Sequence, residues 1–399
     1  MAGWSRSAAP AVCAWAALLL LLTACTTESP EQGGGPSETR IGDAVLAFYV
    51  SPQAPIADAS GPAFVVLVDA DGSTRSIETA GMDNGQLDWS IEGLHFADVD
   101  NDYVLGDDLR IAPSPKTDLQ QAMFATEGSG SIGLYNEGLG STGYVETVVL
   151  TDASGASSAD VSGAYEVTAM CGGDLFGVAP TALPPTQDAE GASEDTGREE
   201  LALARLSGTI DGGEEIIATV PDEGSVQIAA AAPCGEGIMR SLVGLGSGDG
   251  WTRSIVRSWD TATGEVSDRP LTDVDGRPLA PSTEDVLFAQ YDEGSMRNGR
   301  FEWLAAAGRI MSTDPATGVT VERFAVGGRS TGAENVSSVF ADDRIWIVSD
   351  AQDGEGTLTV FAYDRASGTE IDRFVVQSAD GAERPDLVLR DAAARPAVG

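Results

Sequence analysis

From residue 44 onward the chain alternates short apolar runs with clusters of Gly, Asp, Ser and Pro. The clearest runs are AVLAFYV at 44–50, AFVVLVD at 63–69, ETVVLTD at 146–152, EEIIATV at 214–220, RIWIVSD at 344–350 and TLTVFAYD at 357–364. Each holds β-branched and aromatic residues over a strand's length and ends in turn formers, the pattern of a pleated, buried strand. The i, i+3, i+4, i+7 spacing of an amphipathic helix is sustained nowhere beyond the first 25 residues. The pattern predicts an all-β fold.

A repeat is superimposed on the strands. Asp260-Thr-Ala-Thr-Gly264, Asp314-Pro-Ala-Thr-Gly318 and Asp364-Arg-Ala-Ser-Gly368 are spaced 54 and 50 residues apart. In each, the Asp carboxylate can accept backbone N–H bonds two or three residues on, and the Gly supplies a positive φ. Looser versions stand at Asp152–Gly155 and Asp69–Gly72. NGQLDW at 84–89 returns as NGRFEW at 298–303, and FADVDNDYVL from Phe96 is echoed by FADDRIWIV from Phe340.

Four short strands in about 50 residues is the pattern of a β-propeller blade. The D-x-A-[ST]-G turn resembles the hairpin of quinoprotein-like and YVTN-type propellers. Residues 42–391 accommodate seven such blades, with six or eight open and a pair of β-sandwiches as the competing architecture. Ring closure would place AVLAFYV and PDLVLRD (385–391) in one blade. Residues 184–200 read as an acidic loop insertion, and 392–399 as a C-terminal tail.

The first residues carry an address. Residues 11–22, AVCAWAALLLLL, suit the apolar region of an export signal but fall short of the roughly 20 residues that span a bilayer. Leu22-Thr23-Ala24-Cys25 follows, and it resembles the lipobox of bacterial lipoproteins. That resemblance implies cleavage between Ala24 and Cys25 and acylation of the Cys25 thiol, making 1–24 a signal peptide. It also implies an extracytoplasmic chain held to the cell membrane, with the lipid bilayer as a partner through the acyl anchor. Residues 25–41 then read as a disordered tether, rich in Gly, Pro, Ser and Glu. The Ala, Gly, Asp and Arg bias suggests a high-GC actinobacterial source.

Charge narrows the partners. The chain holds 62 acidic against 23 basic residues, a formal net charge of −39, and Lys116 is its one lysine. Phosphate-backbone binding needs Lys and Arg stripes, so nucleic acid is excluded as a partner. Without a polybasic flank the domain should stand off an anionic membrane on its tether.

Cys13 leaves with the signal and Cys25 is the acylation site, which leaves Cys171 and Cys234. In an oxidising compartment they form either a disulfide or a pair of small buried side chains. Asp98, Asp100, Asp102 and Asp108, in FADVDNDYVLGDDL, offer hard oxygen ligands of the kind Ca²⁺ takes, as does neighbouring Asp107. The stretch departs from an EF-hand loop at Tyr103 and Leu109, and solvated turn carboxylates are the competing reading. No other cofactor is implied.

Catalytic signatures are thin. His95, the one histidine, sits in an alternating run and reads as a structural residue; no G-x-S-x-G elbow, P-loop or dinucleotide fingerprint is present. The expectation is a propeller that binds a protein or ligand without catalysis. The alternative is a cell-surface hydrolase with paired carboxylates, as in propeller glycosidases. Abundant acids do not by themselves select the pair.

Overall fold

A computed structural model describes residues 40–52, 61–140, 143–181, 200–207, 213–222, 225–227, 230–247, 250–279, 288–327, 336–350, 357–376 and 387–397. The expected signal peptide, with Ala24 and Cys25, and all but the last residue of the expected acidic insertion lie outside these. The described residues contain no α-helix, and none of their helices is long and apolar enough to cross a membrane. They form a seven-bladed β-propeller.

Blade 1 contains β1 (Ala44–Pro52), β2 (Ala63–Asp69) and β3 (Thr74–Thr79). Blade 2 is β4 (Asp88–Ser90), β5 (Gly93–Ala97), β6 (Asn101–Leu105) and β7 (Leu109–Pro113). Blade 3 is β8 (Gln120–Thr126), β9 (Gly130–Gly140), β10 (Gly143–Asp152) and β11 (Gly155–Ser162). Blade 4 runs β12 (Val167–Cys171), β13 (Asp174–Pro180), β14 (Glu200–Arg205) and β15 (Glu215–Pro221). In blade 5 the first position is shared by β16 (Ser225–Gln227) and β18 (Cys234–Gly235). Both pair with β19 (Ile238–Ser247), and β20 (Gly250–Asp260) and β21 (Val266–Pro270) follow. The intervening β17 (Ala230–Ala231) lies parallel to β12. Blade 6 is β22 (Met296–Arg297), β23 (Arg300–Ala305), β24 (Arg309–Thr313) and β25 (Thr320–Ala325). Blade 7 is β26 (Val336–Phe340), β27 (Arg344–Asp350), β28 (Leu358–Asp364) and β29 (Glu370–Val376).

The last strand, β30 (Leu387–Ala394), returns to pair antiparallel with β1, from Leu46 opposite Ala394 to Pro52 opposite Leu387. Both ends of the described chain therefore complete one blade. Two expected boundaries shift with it. Ile41, read as the end of the tether, is buried, and its carbonyl accepts a bond from Arg75. Ala392, Ala393 and Ala394, read as tail, belong to β30, and Arg395 beyond them donates to the Gly42 carbonyl at 2.8 Å.

Burial on both faces explains why the strand runs are apolar at nearly every position. In β1, Leu46, Phe48 and Val50 pack toward blade 7 with Trp346, Val348 and Val360, while Ala47 and Tyr49 pack toward blade 2 with Leu94 and Phe96. Successive side chains leave a strand on opposite faces, so a sheet between two others needs an apolar residue at each step.

The repeated turns latch neighbouring blades. In blades 5, 6 and 7 the D-x-A-[ST]-G turn joins the third strand to the fourth. Asp260 Oδ1 accepts the Ala262 and Thr263 N–H groups, Asp314 Oδ1 accepts that of Ala316, and Asp364 Oδ1 accepts that of Ser367. Gly264, Gly318 and Gly368 take φ of 75°, 79° and 71°. Each abuts the outer strand of the preceding blade: a Cβ on Gly318 would stand 2.0 Å from the Pro270 carbonyl, and one on Gly368 would enter the Phe324 ring. The longer echoes do not share a blade register. NGQLDW leads into the first strand of blade 2, whereas NGRFEW enters the second of blade 6; the two FAD segments differ by one strand in the opposite sense.

Candidate functional site

The first strands of the blades leave a cavity of about 800 Å³ at the propeller axis. Its wall comes from β4 and the turn before it, from β8, from residues 289–294 ahead of β22, and from β26 and β30. Six acidic residues line it. Asp342 and Asp343 lie in the exposed turn after β26, and the other four are Asp88, Asp292, Glu293 and Asp391.

Each of these four is placed by a different device. Asp88 opens β4 opposite His95, and its carboxylate accepts the Ala125 N–H of the next blade. Asp391 sits beside a bulge in β30, where Tyr49 faces Asp391 but Val50 faces Leu389. The extra residue, Arg390, swings away to pair with Asp83 at 2.6 Å and to bond Ser51. Asp391 in turn accepts the Leu87 N–H at 2.8 Å, which joins blade 1 to blade 2.

Asp292 and Glu293 belong to a single 3₁₀ turn, Glu293–Ser295 with Asp292 ahead of it. Asp292 accepts the Phe340 N–H at 2.7 Å and the Ser295 hydroxyl at 3.3 Å. The turn lies so close to β26 that a Cβ on Gly294 would stand 1.9 Å from the Phe340 carbonyl, and only glycine fits. Arg365, from the blade 7 turn, donates to the Gly294 carbonyl at 2.9 Å and to Glu302 at 2.7 Å. Glu293 is thereby held out into the cavity, where it makes no hydrogen bond or ion pair with any described residue.

The four groups act on one another. Burial, followed by the charges of Asp88 and Asp292, holds the Glu293 carboxyl well above the usual range, although water reaches it through the channel. Burial likewise raises Asp88 and, against the Phe340 bond and the Arg365 charge, Asp292. Asp391 is pushed up to about 7, mainly by burial and further by Asp292 and Asp88. Such groups keep protons at a pH where isolated carboxylates are ionised. The lining arginines are already engaged: Arg344 with Asp343 at 3.5 Å, Arg390 with Asp83, and Arg395 with backbone carbonyls.

The expected calcium ligands are not brought together. Asp98 is filled by the N–H groups of Asp100, Asn101 and Ala80 and by the Tyr103 hydroxyl at 2.6 Å. Asp102 is buried on the Lys116 ammonium at 2.9 Å, with the Tyr135 and Thr151 hydroxyls beside it. Asp100 and Asp108 lie in the turns on either side of β6. Among the described residues no three His, Cys, Asp or Glu side chains converge as metal ligands. These carboxylates brace turns and blades instead. His95 is fully buried, within 3.3 Å of the Ser90 hydroxyl, and burial lowers its pKa to about 4. Cys171, at the end of β12, and Cys234, in β18, are disulfide-bonded with their Cα atoms 5.5 Å apart, tying blade 4 to blade 5.

No protein-family model and no curated protein matches the chain. Solved structures do resemble it. The periplasmic gluconolactonase PpgL of Pseudomonas aeruginosa aligns over 86% of this chain and 99% of its own, with 16% identity and a TM-score of 0.51. A cobalt-substituted Synechocystis ACO aligns over 90% and 93%, with 10% identity and a TM-score of 0.50. Apo AztD from Citrobacter koseri aligns over 88% and 98%, with 11% identity and a TM-score of 0.48. At these identities what is shared is the propeller fold.

Proposed function

We propose that the chain is an extracytoplasmic lipoprotein whose propeller holds a small solute in its axial cavity without transforming it. In this reading residues 1–24 direct export, acylated Cys25 anchors the chain, and residues 26–40 tether the propeller above the membrane. The observation that supports the binding role is the cavity: concave, about 800 Å³, with Trp89, Tyr291, Phe340 and Trp346 set among charged, amide and hydroxyl side chains. A second reading, hydrolysis by paired carboxylates, is favoured by Asp88 and Glu293. They come from blades on opposite sides of the ring, and the charge of one raises the pKa of the other.

A two-part experiment tests the proposal. Cys25→Ala should release the protein from membranes and abolish acyl labelling. Separately, a thermal-shift screen of sugars, lactones, amino acids and amines should find a stabilising solute whose effect is lost in the double variant Asp88→Asn/Glu293→Gln. That solute should be recovered intact after prolonged incubation. Recovery of a cleaved product would replace the binding role with the hydrolytic one, and an inert cavity would refute both.

A further inference from the structure

We infer that the solute held in the axial cavity is a small organic ammonium compound that also carries a hydroxyl or carbonyl oxygen. The inference rests on the cavity being a solute site, and it names the chemistry of that solute. Two independent sets of groups at the wall point to it.

The first set is four of the six lining carboxyls. Asp88, Asp292 and Asp391 each accept one or more hydrogen bonds from backbone N–H groups, whereas Glu293 has no partner among the described residues. The arginines that could have neutralised the group are turned to other acceptors. A cation is the missing partner. Convergence of three ligands suited to a metal ion is absent among the described residues, and the cavity is far larger than a bare ion.

The second set is aromatic. Trp89 and Trp346 line the cavity at 5% and 4% exposure. Neither indole N–H donates to a described residue; of two fully buried indoles, that of Trp303 donates to Thr313 and that of Trp259 has no partner. An indole N–H without a partner at a cavity wall calls for an acceptor oxygen, and the face of the Trp89 ring attracts a cationic nitrogen; the Trp346 ring already has the Arg344 guanidinium 5.8 Å from its centroid. The Ser338 hydroxyl, nine-tenths buried in the wall, also lacks a partner. Carboxylates for the charge, indoles for a neighbouring oxygen and volume for an organic framework together describe a hydroxylated or carbonyl-bearing amine.

Proton exchange follows from the same geometry. The empty cavity retains protons on its crowded carboxyls, and a cation must displace them to bind. Affinity for a ligand of fixed charge therefore rises as the pH increases through about 7, where Asp391 gives up its proton.

The test is calorimetric titration of the full chain in 0.15 M NaCl with choline, ethanolamine and glucosamine. The uncharged counterpart of choline, 3,3-dimethylbutan-1-ol, serves as the isostere, and Ca²⁺ and Zn²⁺ as competing cations. At least one amine should saturate a single site. If choline is among them, its affinity should be several-fold higher at pH 8 than at pH 6, and at least tenfold above that of the neutral alcohol. Asp88→Asn and Glu293→Gln should each cost tenfold or more, while Asp275→Asn, in an exposed turn, should leave the affinity unchanged. Equal binding of the neutral alcohol, diffuse multi-site binding that Asp275→Asn weakens as much, or a single-site preference for either metal ion would overturn the inference. If sugars or lactones bind the cavity and none of the amines does, the solute-site reading survives and this one fails. If nothing binds, both fail.

Discussion

Arg365 and Gly294 are joined across the boundary between blades 6 and 7, with one guanidinium N–H 2.9 Å from the glycine carbonyl. The same guanidinium reaches Glu302 at 2.7 Å and the carbonyls of Phe340 and Ala341, and Arg323 holds the second oxygen of Glu302 at 2.7 Å. A repeated turn at the ring's periphery thus fixes the short turn that carries Glu293 into the cavity. The cavity wall and the boundary between blades 6 and 7 share one ion network.

Replacing Arg365 by Ala should therefore act twice. Glu302, only 2% exposed, would lose one of its two partners, and breaking a buried pair in this way costs about 3–5 kcal/mol. The turn at Gly294 would also loosen, lowering solute affinity at temperatures where the protein is still folded. Arg365→Lys should not rescue either effect, because an ammonium lacks the planar fork that reaches four acceptors. Chemical denaturation and titration of the variants measure the two effects, and wild-type affinity in a destabilised Arg365→Ala would uncouple network from site.

The Cys171–Cys234 bridge spans 63 residues of chain. Loop-closure entropy for a cross-link of that length gives about 4 kcal/mol, an upper figure because the reduced chain retains some order. Reduction, or the double replacement by Ala, should lower the denaturation midpoint accordingly, read by urea titration with and without dithiothreitol. An unchanged midpoint would mean that the two blades are held together by packing alone.

Stability should fall as the pH is raised, with Glu146 as one cause. It is buried, accepts one bond from the Tyr165 N–H and leaves its other oxygen unpartnered. Burial first, and the Glu166 charge after it, push its pKa up to about 8 from 4.5. An acid whose folded pKa lies above its unfolded value stabilises the fold only while protonated. Its contribution is complete below about 4.5 and is lost progressively up to about 8. Glu146→Gln should flatten this part of the melting-temperature profile and raise the melting temperature above pH 7; an unaltered slope between pH 5 and 9 would remove Glu146 from the explanation.

The fold was legible because its determinants are local. An Asp that caps its own turn and a Gly at positive φ recur in blades 1, 3, 5, 6 and 7, and a strand buried on both faces advertises itself by continuous apolarity. The cavity was far less so. Asp88, Asp292, Glu293 and Asp391 lie up to some 300 residues apart, and only ring closure brings them together. One local signal was available: Asp88 in Leu-Asp-Trp and Asp391 in Leu-Arg-Asp-Ala interrupt strand runs, where a carboxylate has no turn to cap. The dense cluster from Asp98 to Asp108 drew attention instead, yet density in sequence there reflects two successive turns and a buried partner, Lys116. The longer echoes misled for a related reason, since they repeat hairpins and not whole blades.

The central claim is that the axial cavity holds a solute, and native mass spectrometry of the full chain, purified from the cells that make it, tests it most directly. The expected spectrum shows one small-molecule adduct per chain, released unchanged on unfolding and missing from Asp88→Asn/Glu293→Gln prepared in parallel. An adduct of equal abundance in that variant, or a wild-type chain that carries none and acquires none when cell extract is added, would contradict it.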